Sequence, residues 1–265
     1  MLTERQQIEI EYHRAHSQRI SEKGLGFDRS ILDPAKTRPW KAWWYVWERL
    51  RKLDLKGRRV LVVGCGDGGD ALVFAAFGAD VSAFELSPDM LDLARRRAAH
   101  AGLSIEFREC PAEALSYDRG EFDLIFARDI LHHVDIPRAM TELARVAGPG
   151  CMFVLSEISS HRWTYAIRDA ELVRRYIYPR IARVIYGNEK PYITADERKL
   201  SEKDVELIKS YLREIDDEQY FLFVVTRLFS EKSDTLNKAD RLFLRLLGRR
   251  GALLGGRVVL SGRFA

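Results

Sequence analysis

The sequence predicts an α/β protein with a doubly wound, mostly parallel sheet, and three observations support this class. Between residues 59 and 157, short β-branched segments alternate with segments of helical periodicity. The first of them, Arg59–Val63, shows no polar alternation, as expected of a strand buried on both faces. A glycine-rich turn follows this strand and opens a helix. Strands and helices that alternate in this way form parallel sheets with helices on both faces.

The individual elements can be placed in order along this stretch. Four further strands are predicted, at Asp80–Phe84, Ile105–Arg108, Phe122–Ala127 and Met152–Glu157. Helices are predicted at Asp70–Phe77, between Ser87 and Gly102, and at Ile136–Val146. The second helix has a clear start, because Ser87 suits an N-cap and Pro88 suits the first helical position.

The alternation is absent on both sides of this stretch. Before it, a helix is predicted at about Glu4–Ile20, and a second, core-packing helix carries Trp40, Trp43, Trp44, Trp47 and Leu50 at helical spacing. After it, residues 158–215 are mostly helical, and Ser201 with Asp204 resembles a capping pair for a helix at Asp204–Arg213. Two late strands, Tyr220–Val225 and Val258–Ser261, flank an amphipathic helix at Leu236–Leu247.

These patterns divide the chain into four parts. We expect an N-terminal helical cap over residues 1–57 and a ligand-binding core over residues 58–157. A helical insertion over residues 158–215 extends the cap, and residues 216–265 add the strands and helix that complete the sheet.

Composition and charge narrow the classes of function. The 265 residues contain 43 Lys and Arg against 39 Asp and Glu, and this excess is too small to indicate nucleic-acid binding. The three cysteines, Cys65, Cys110 and Cys151, fit neither a zinc spacing nor a disulfide framework, which favours a reducing, cytoplasmic compartment. No apolar run reaches the roughly 20 residues of a membrane span, and the polar start shows no secretory signal.

The turn after the first strand carries the clearest functional signal. It reads Val63-Gly64-Cys65-Gly66-Asp67-Gly68-Gly69-Asp70. Glycines allow a tight turn and a close approach of a ligand to the backbone. Glu85, at the end of the second predicted strand, is placed to accept both hydroxyls of a ribose. The two features predict a nucleoside-bearing cofactor, and the glycines alone fit both the dinucleotide pattern G-x-G-x-x-G and the G-x-G-x-G of S-adenosylmethionine enzymes.

Five ordered segments favour the second cofactor. They are Val60–Gly68, Glu85–Leu91, Cys110–Leu115, Phe122–Val134 and Arg145–Gly150. Over roughly residues 58–157 the chain resembles the class I S-adenosylmethionine-dependent methyltransferases, in particular the ubiquinone/menaquinone-biosynthesis-type small-molecule enzymes. The resemblance implies a Rossmann-like sheet of seven strands, five parallel and then a late antiparallel pair, with a helical cap. It also implies methyl transfer from S-adenosyl-L-methionine, with S-adenosyl-L-homocysteine as product.

The resemblance further implies contacts for each part of the cofactor. The expected contacts are Gly64, Cys65 and Gly66 for the methionine part, with Asp67 and Gly68 in the same loop, Glu85 for the ribose, Leu86, Met90, Pro111, Ala112 and Glu113 around the adenine, and Ala127 and Arg128 beneath the sulfur. Two positions depart from the family pattern. Val62 stands where many relatives carry an acid that organises the methionine amino group, and Pro111 stands where many carry an acid beside the adenine.

The chemistry requires little beyond alignment. Methyl transfer is an in-line displacement at a carbon activated by positive sulfur, so the enzyme mainly aligns the acceptor and excludes water. A base is required only where the acceptor must lose a proton. The candidates are His132, His133 and Tyr12, and the two adjacent histidines are expected to point apart. The structural alternative is that the histidines pack at the strand exit. No metal-ligand spacing is evident.

The expected partner is a small organic acceptor of lipophilic character, bound between the core and the cap. The basic residues Arg241, Arg245, Arg249, Arg250 and Arg257 alternate with apolar ones and are consistent with contact with a membrane surface. The structural alternative is a helix packed on the sheet with its arginines exposed. Two other functions remain open from the sequence, an NAD-dependent oxidoreductase and a non-catalytic protein of the methyltransferase fold. The sequence does not indicate the oligomeric state.

Overall fold

The computed structural model describes residues 25–162, 170–177, 199–223 and 234–265, with isolated positions 7, 10, 11, 14, 166, 179 and 180. These residues form one seven-stranded sheet in the order β3-β2-β1-β4-β5-β7-β6. The strands are β1 (Arg59–Val63), β2 (Asp80–Glu85), β3 (Glu106–Glu109), β4 (Phe122–Arg128), β5 (Ala147–Ile158), β6 (Leu212–Phe223) and β7 (Gly255–Phe264). The first five strands pair in parallel, and β7 lies antiparallel between β5 and β6. The predicted fold class is therefore confirmed.

The described chain also contains six α-helices and several short helical turns, most of which connect the strands. The helices are α1 (Ala42–Leu50), α2 (Gly69–Ala76), α3 (Pro88–Ala101), α4 (Ile136–Val146), α5 (Glu202–Ser210) and α6 (Asp234–Leu247). Ser87 caps α3, and Ser201 with Asp204 forms a capping box on α5, as the sequence predicted. Shorter turns lie at Arg29–Leu32, Leu131–His133, Val173–Ile177 and Gly248–Leu253. Among the described residues, no helix is both long and apolar enough to span a bilayer.

The aromatic helix α1 packs into one face of the sheet. Trp47 is fully buried there, and its ring centroid lies 4.6 Å from that of Phe74 on α2 and 5.8 Å from that of Phe126 on β4. The prediction of a core-packing helix is confirmed by this contact, except that Trp40 lies before the helix begins at Ala42 and donates a hydrogen bond to Asp234. The residues of α1 are therefore joined to the sheet by apolar burial, although they precede the first strand.

The opposite face is covered by α4 and α5. Leu143 of α4 and Ile208 of α5 are fully buried in one apolar cluster with Ile125 of β4 and Phe153 of β5. With helices on both faces, the central strands are shielded from water, and this explains their continuous apolar runs.

Several predicted boundaries are corrected by the structure. The strand β6 begins at Leu212 instead of Tyr220, so the helix predicted to reach Arg213 ends at Ser210 and the boundary at residue 215 falls within a strand. As an edge strand, β6 carries charged residues where a buried strand would be apolar, which hid it from a search for hydrophobic runs. The strand β5 begins at Ala147, five residues before its predicted start, because Ala147 pairs separately with Phe122 across an irregularity. Most of the predicted helix at Glu4–Ile20 lies outside the described residues.

Candidate active site

A cavity of about 530 Å³ opens at the carboxyl ends of the parallel strands. It lies where the strand order reverses between β1 and β4, which is the usual ligand position in doubly wound sheets. Its walls come from the turns after β1, β2, β3 and β4 and from the start of β7. Residues that border it include Gly64, Cys65, Gly66, Asp67, Asp70, Glu85, Leu86, Met90, Pro111, Ala112, Glu113, Arg128, Asp129, His132, His133 and Arg257.

The turn after β1 has space for a ligand beside Gly66. Gly64, Gly66 and Gly68 all adopt left-handed backbone angles, with φ of 58°, 51° and 82°. A Cβ at Gly64 would lie 2.6 Å from the side chain of Ile130, and one at Gly68 would lie 3.0 Å from Ala94. A Cβ at Gly66 would meet only Met90, at 3.8 Å. Gly64 and Gly68 are thus required by packing, whereas the surface at Gly66 is left open toward the cavity.

The carboxylate of Glu85 binds this turn to the end of β2. It accepts hydrogen bonds from the backbone N–H groups of Gly66 at 3.0 Å, Leu86 at 2.8 Å and Ser87 at 3.0 Å. A carboxylate has about four acceptor positions, so capacity remains for a further donor. Glu85 is largely buried and borders the cavity. The residue predicted to bind ribose is therefore a fixed anion at the cavity wall.

The predicted adenine side is an apolar recess with one acid. Met90, Pro111 and Ala112 border it. Glu113 accepts a hydrogen bond from the N–H of Asp135 at 3.0 Å through Oε1, while its Oε2 is buried without a hydrogen-bond partner in the structure. These residues fit a flat heterocycle, and Glu113, two positions after Pro111, is the acid that borders the recess.

An ion pair that the sequence analysis missed lies at the far side of the glycine turn. Asp70, in the first turn of α2, accepts hydrogen bonds from Nε1 of Trp43 at 3.1 Å and from Nε of Arg128 at 2.6 Å. The negative charge of Asp70 raises the pKa of Arg128. Asp70 and Arg128 both border the cavity. The position of Asp70 directly after the glycines was the signal in the sequence that went unused.

The two histidines lie on the opposite wall. Nδ1 of His132 is 2.7 Å from Oε2 of Glu157, which is fully buried at the end of β5. The other oxygen of Glu157 accepts hydrogen bonds from the N–H groups of Ile130 and Leu131, both at 2.6 Å. The expectation that His132 and His133 point apart is wrong. Their ring centroids are 3.9 Å apart, and both residues lie within the single turn at Leu131–His133.

A second charged pair closes this wall. Arg257 of β7 forms an ion pair with Asp129 at 2.8 Å and donates to the carbonyl and the hydroxyl oxygen of Ser156 at 3.2 Å. Asp129 has φ of 55° and, within the described chain, is the sole residue other than glycine with a positive φ. Such a conformation is sparsely populated and is enriched at functional sites. Arg257, which the sequence analysis grouped with a membrane surface, borders the cavity instead.

The remaining predicted contacts divide between the cavity and the core. The carboxylate of Asp67 borders the cavity and forms an ion pair with Arg97, which also donates to the carbonyl oxygens of Asp67 at 3.1 Å and of Gly26 at 2.9 Å. Cys65 borders the cavity, and burial raises the pKa of its thiol, so it is a packing residue. Ala127 is fully buried in the apolar core and is absent from the cavity wall.

Tyr12, the third candidate for the base, lies outside the described residues. Within the described chain, no group of three or more His, Cys, Asp or Glu side chains has an arrangement that could hold a metal ion.

The strand order of the sheet and the position of the cavity are those of the class I methyltransferase fold. Residues 61–155 match the family model for the methyltransferase domain, and the resemblance read from the five motifs is confirmed. The chain is 33% identical to the ubiquinone biosynthesis O-methyltransferase of Bordetella avium over 128 residues, 47% of this chain and 53% of that protein. For the enzyme of the same name from Methylocella silvestris, identity is 33% over 147 residues, 50% and 57% of the two chains. The chain thus spans about half the length of these curated relatives.

Solved structures extend the likeness to the whole chain at the level of the fold. The geranyl diphosphate C-methyltransferase of Streptomyces coelicolor A3(2) aligns with a TM-score of 0.59, 16% identity and full coverage of both chains. The [4+2]-cyclase SpnF aligns with a TM-score of 0.56 and 19% identity over 98% of this chain and 95% of its own.

Replacing Glu85 by Ala is expected to weaken binding of S-adenosyl-L-homocysteine at least tenfold. Hydrogen bonds to a charged group contribute about 1.5–3 kcal/mol each, and the substitution removes the anion at the cavity wall. Titration calorimetry measures the affinity. The control is Glu109→Ala, because Glu109 is the exposed register partner of Glu85 on β3. Equal affinity of the Glu85 variant and the wild type would refute the ribose assignment.

Replacing Gly66 by Val is expected to abolish binding of the same ligand while the protein remains folded. The new side chain would enter the open space beside the turn. The matched control is Gly102→Val, because Gly102 has a similar φ of 68° and open surroundings far along α3. It carries the backbone strain without occupying the cavity. Calorimetry and circular dichroism compare the two variants, and retained affinity in the Gly66 variant would exclude this turn as the cofactor cradle.

Proposed function

We propose that the protein transfers a methyl group from S-adenosyl-L-methionine to a hydroxyl of a small, largely apolar organic acceptor. The proposal rests on the observation that a single cavity is bordered both by residues suited to the cofactor and by residues suited to removing a proton. On one side lie the open glycine turn and the fixed anion of Glu85, and on the other lies the buried pair of His132 and Glu157.

The residues of the first wall fit the cofactor. The space beside Gly66 takes a closely approaching ligand, and Glu85 would hold the ribose hydroxyls. Asp70 would bind the ammonium of the methionine part and Arg128 its carboxylate. They would take over the role of the acid that many relatives carry at the position of Val62. When bound, this cofactor supplies a methyl group on a positively charged sulfur. The chain therefore has to orient an acceptor and keep water out.

The second wall is suited to removing a proton from the acceptor. The carboxylate of Glu157 favours the tautomer of His132 that carries its proton on Nδ1, which leaves Nε2 as the basic nitrogen. As the ring gains a proton, the buried anion of Glu157 stabilises the positive charge that forms. His132 is thus the proposed general base, Glu157 is its positioning residue, and His133 stacks against the base.

The acceptor end of the cavity favours an apolar molecule. Ile130, Val134 and Ile158 border it, with Arg257 as a cationic donor among them. The curated relatives named as ubiquinone biosynthesis O-methyltransferases favour oxygen as the atom that receives the methyl group. A cytoplasmic location accompanies this proposal, and three cysteines free of disulfides are consistent with it.

The proposed cofactor and reaction can be tested without knowing the acceptor. S-adenosyl-L-homocysteine is expected to raise the thermal unfolding temperature, whereas NAD is not. Methyl-labelled S-adenosyl-L-methionine, mixed with protein and an organic extract of cells, is expected to transfer label to an apolar product. The Gly66→Val variant serves as the inactive control. Stabilisation by NAD alone would favour the oxidoreductase, and binding without label transfer would favour a non-catalytic protein.

The roles of His132 and Glu157 predict a specific kinetic pattern. His132→Asn is expected to lower the single-turnover rate of label transfer by about 10²–10⁴-fold, as expected for the loss of a general base. Glu157→Gln is expected to lower it by about the same factor, because the side chain would no longer hold His132 in the tautomer with a basic Nε2. Affinity for S-adenosyl-L-homocysteine should stay unchanged, because neither side chain belongs to the cofactor wall. His100→Asn is the matched control, since His100 is exposed on α3. Transfer at the wild-type rate in both variants would remove the pair from the mechanism.

A further inference from the structure

The helix α6 exposes most of its large apolar side chains. Its inner side buries Leu244, which is 2% exposed, together with Asn237 and Asp240, which are each 6% exposed. Its outer side carries Leu242 and Leu246, which are 61% and 78% exposed, and Phe243, which is 43% exposed. An amphipathic helix of a globular protein normally turns most of its large apolar residues toward the core.

The exposed side chains form one continuous stripe. At 100° per residue, Leu242, Leu246 and Phe243 fall within about a third of the helix circumference, and Leu236 lies at its edge. Of the eight exposed large hydrophobic residues in the described chain, five lie between residues 236 and 253. Concentrated apolar exposure of this kind marks an interaction surface.

The charges beside the stripe are basic. Lys238 and Arg245 are exposed on α6 along one flank of the stripe, and Arg250 is exposed just beyond the helix. The two acids of the helix are engaged elsewhere, because Asp234 pairs with Lys41 at 3.2 Å and Asp240 is buried. An apolar stripe with a basic flank is complementary to an anionic lipid surface, whose headgroups are negative above an apolar layer.

The stripe also lies on the chain segment that leads to the cavity. The helix ends at Leu247, the turn at Gly248–Leu253 follows, and β7 begins at Gly255. Two residues later, Arg257 borders the acceptor end of the cavity. A surface that holds α6 is therefore connected by a short, structured segment to the place where the acceptor is proposed to bind.

We propose that α6 docks the protein on an anionic phospholipid bilayer. Leu242, Phe243 and Leu246 enter the boundary between headgroups and acyl chains, and Lys238 and Arg245 contact the anionic headgroups. This assignment extends the sequence-based expectation of membrane contact to particular residues, and it removes Arg241 and Arg257 from that surface. Arg241 instead lies over the ring of Phe221 at 4.4 Å. Supply of the acceptor from the bilayer is a consequence that rests on the proposed function, whereas the docking itself does not.

Co-sedimentation with vesicles tests the docking. The wild-type protein is expected to bind vesicles of equal parts phosphatidylglycerol and phosphatidylcholine, and to bind pure phosphatidylcholine vesicles more weakly. The variant L242S/L246S is expected to bind the mixed vesicles at least about tenfold more weakly, because two inserting side chains lose their apolar surface. The variant R245Q/R250Q is also expected to bind more weakly, and salt is expected to weaken wild-type binding.

The matched control is Leu172→Ser, the same chemical change at another position, which is 66% exposed. It is expected to leave vesicle binding unchanged. All variants should retain the thermal unfolding temperature and the affinity for S-adenosyl-L-homocysteine of the wild type, so a failure of docking is separable from a failure of the proposed function. Equal vesicle binding by L242S/L246S and the wild type would overturn the proposal. A dimer that this variant dissociates, without vesicle binding, would overturn it in favour of a second copy of the chain.

Discussion

The cavity depends on the carboxylate of Glu85, which ties the glycine turn after β1 to the end of β2. The three glycines of that turn adopt left-handed conformations in the fold. In the unfolded chain they have much conformational freedom, so ordering the turn costs entropy. The three N–H groups that Glu85 binds offset this cost and fix the turn before any ligand arrives. The surface beside Gly66 is consequently preformed, so a ligand that binds there would require little reorganisation of the turn.

The same device recurs at the other wall. Glu157 lies at the end of β5 and binds two backbone N–H groups and His132, much as Glu85 binds the glycine turn. In both cases a buried carboxylate is anchored by a parallel strand and determines the conformation of the loop that follows a neighbouring strand. The spacing of the strands thus sets the distance between the two walls, and the helices packed on both faces of the sheet hold that spacing rigid.

The sequence predicts most of the elements because their signals are local. The bounds of α4 agree with the prediction, and its start has local signals in the Asp135 cap and in a proline in the first turn. The glycine turn and Glu85 were found for the same reason. The contact of His132 with Glu157 spans 25 residues and that of Asp129 with Arg257 spans 128, so both depend on strand register that no local pattern encodes. The predicted start of β6 was eight residues too late, because the polar first part of this edge strand resembles a loop.

The contacts of Arg97 restrict the design of chimeras in which the N-terminal segment of one relative is joined to the core of another. The sequence pattern changes at residue 58, which suggests a natural point for joining one protein's N-terminal segment to another's core. The guanidinium of Arg97 nevertheless binds the carbonyl of Gly26 and the glycine turn at once, and the indole of Trp47 fills space between Phe74 and Phe126. A chimera joined at that point would have to reproduce both contacts to keep its glycine turn in place. Exchange of acceptor preference through this segment is therefore constrained by packing as well as by chemistry.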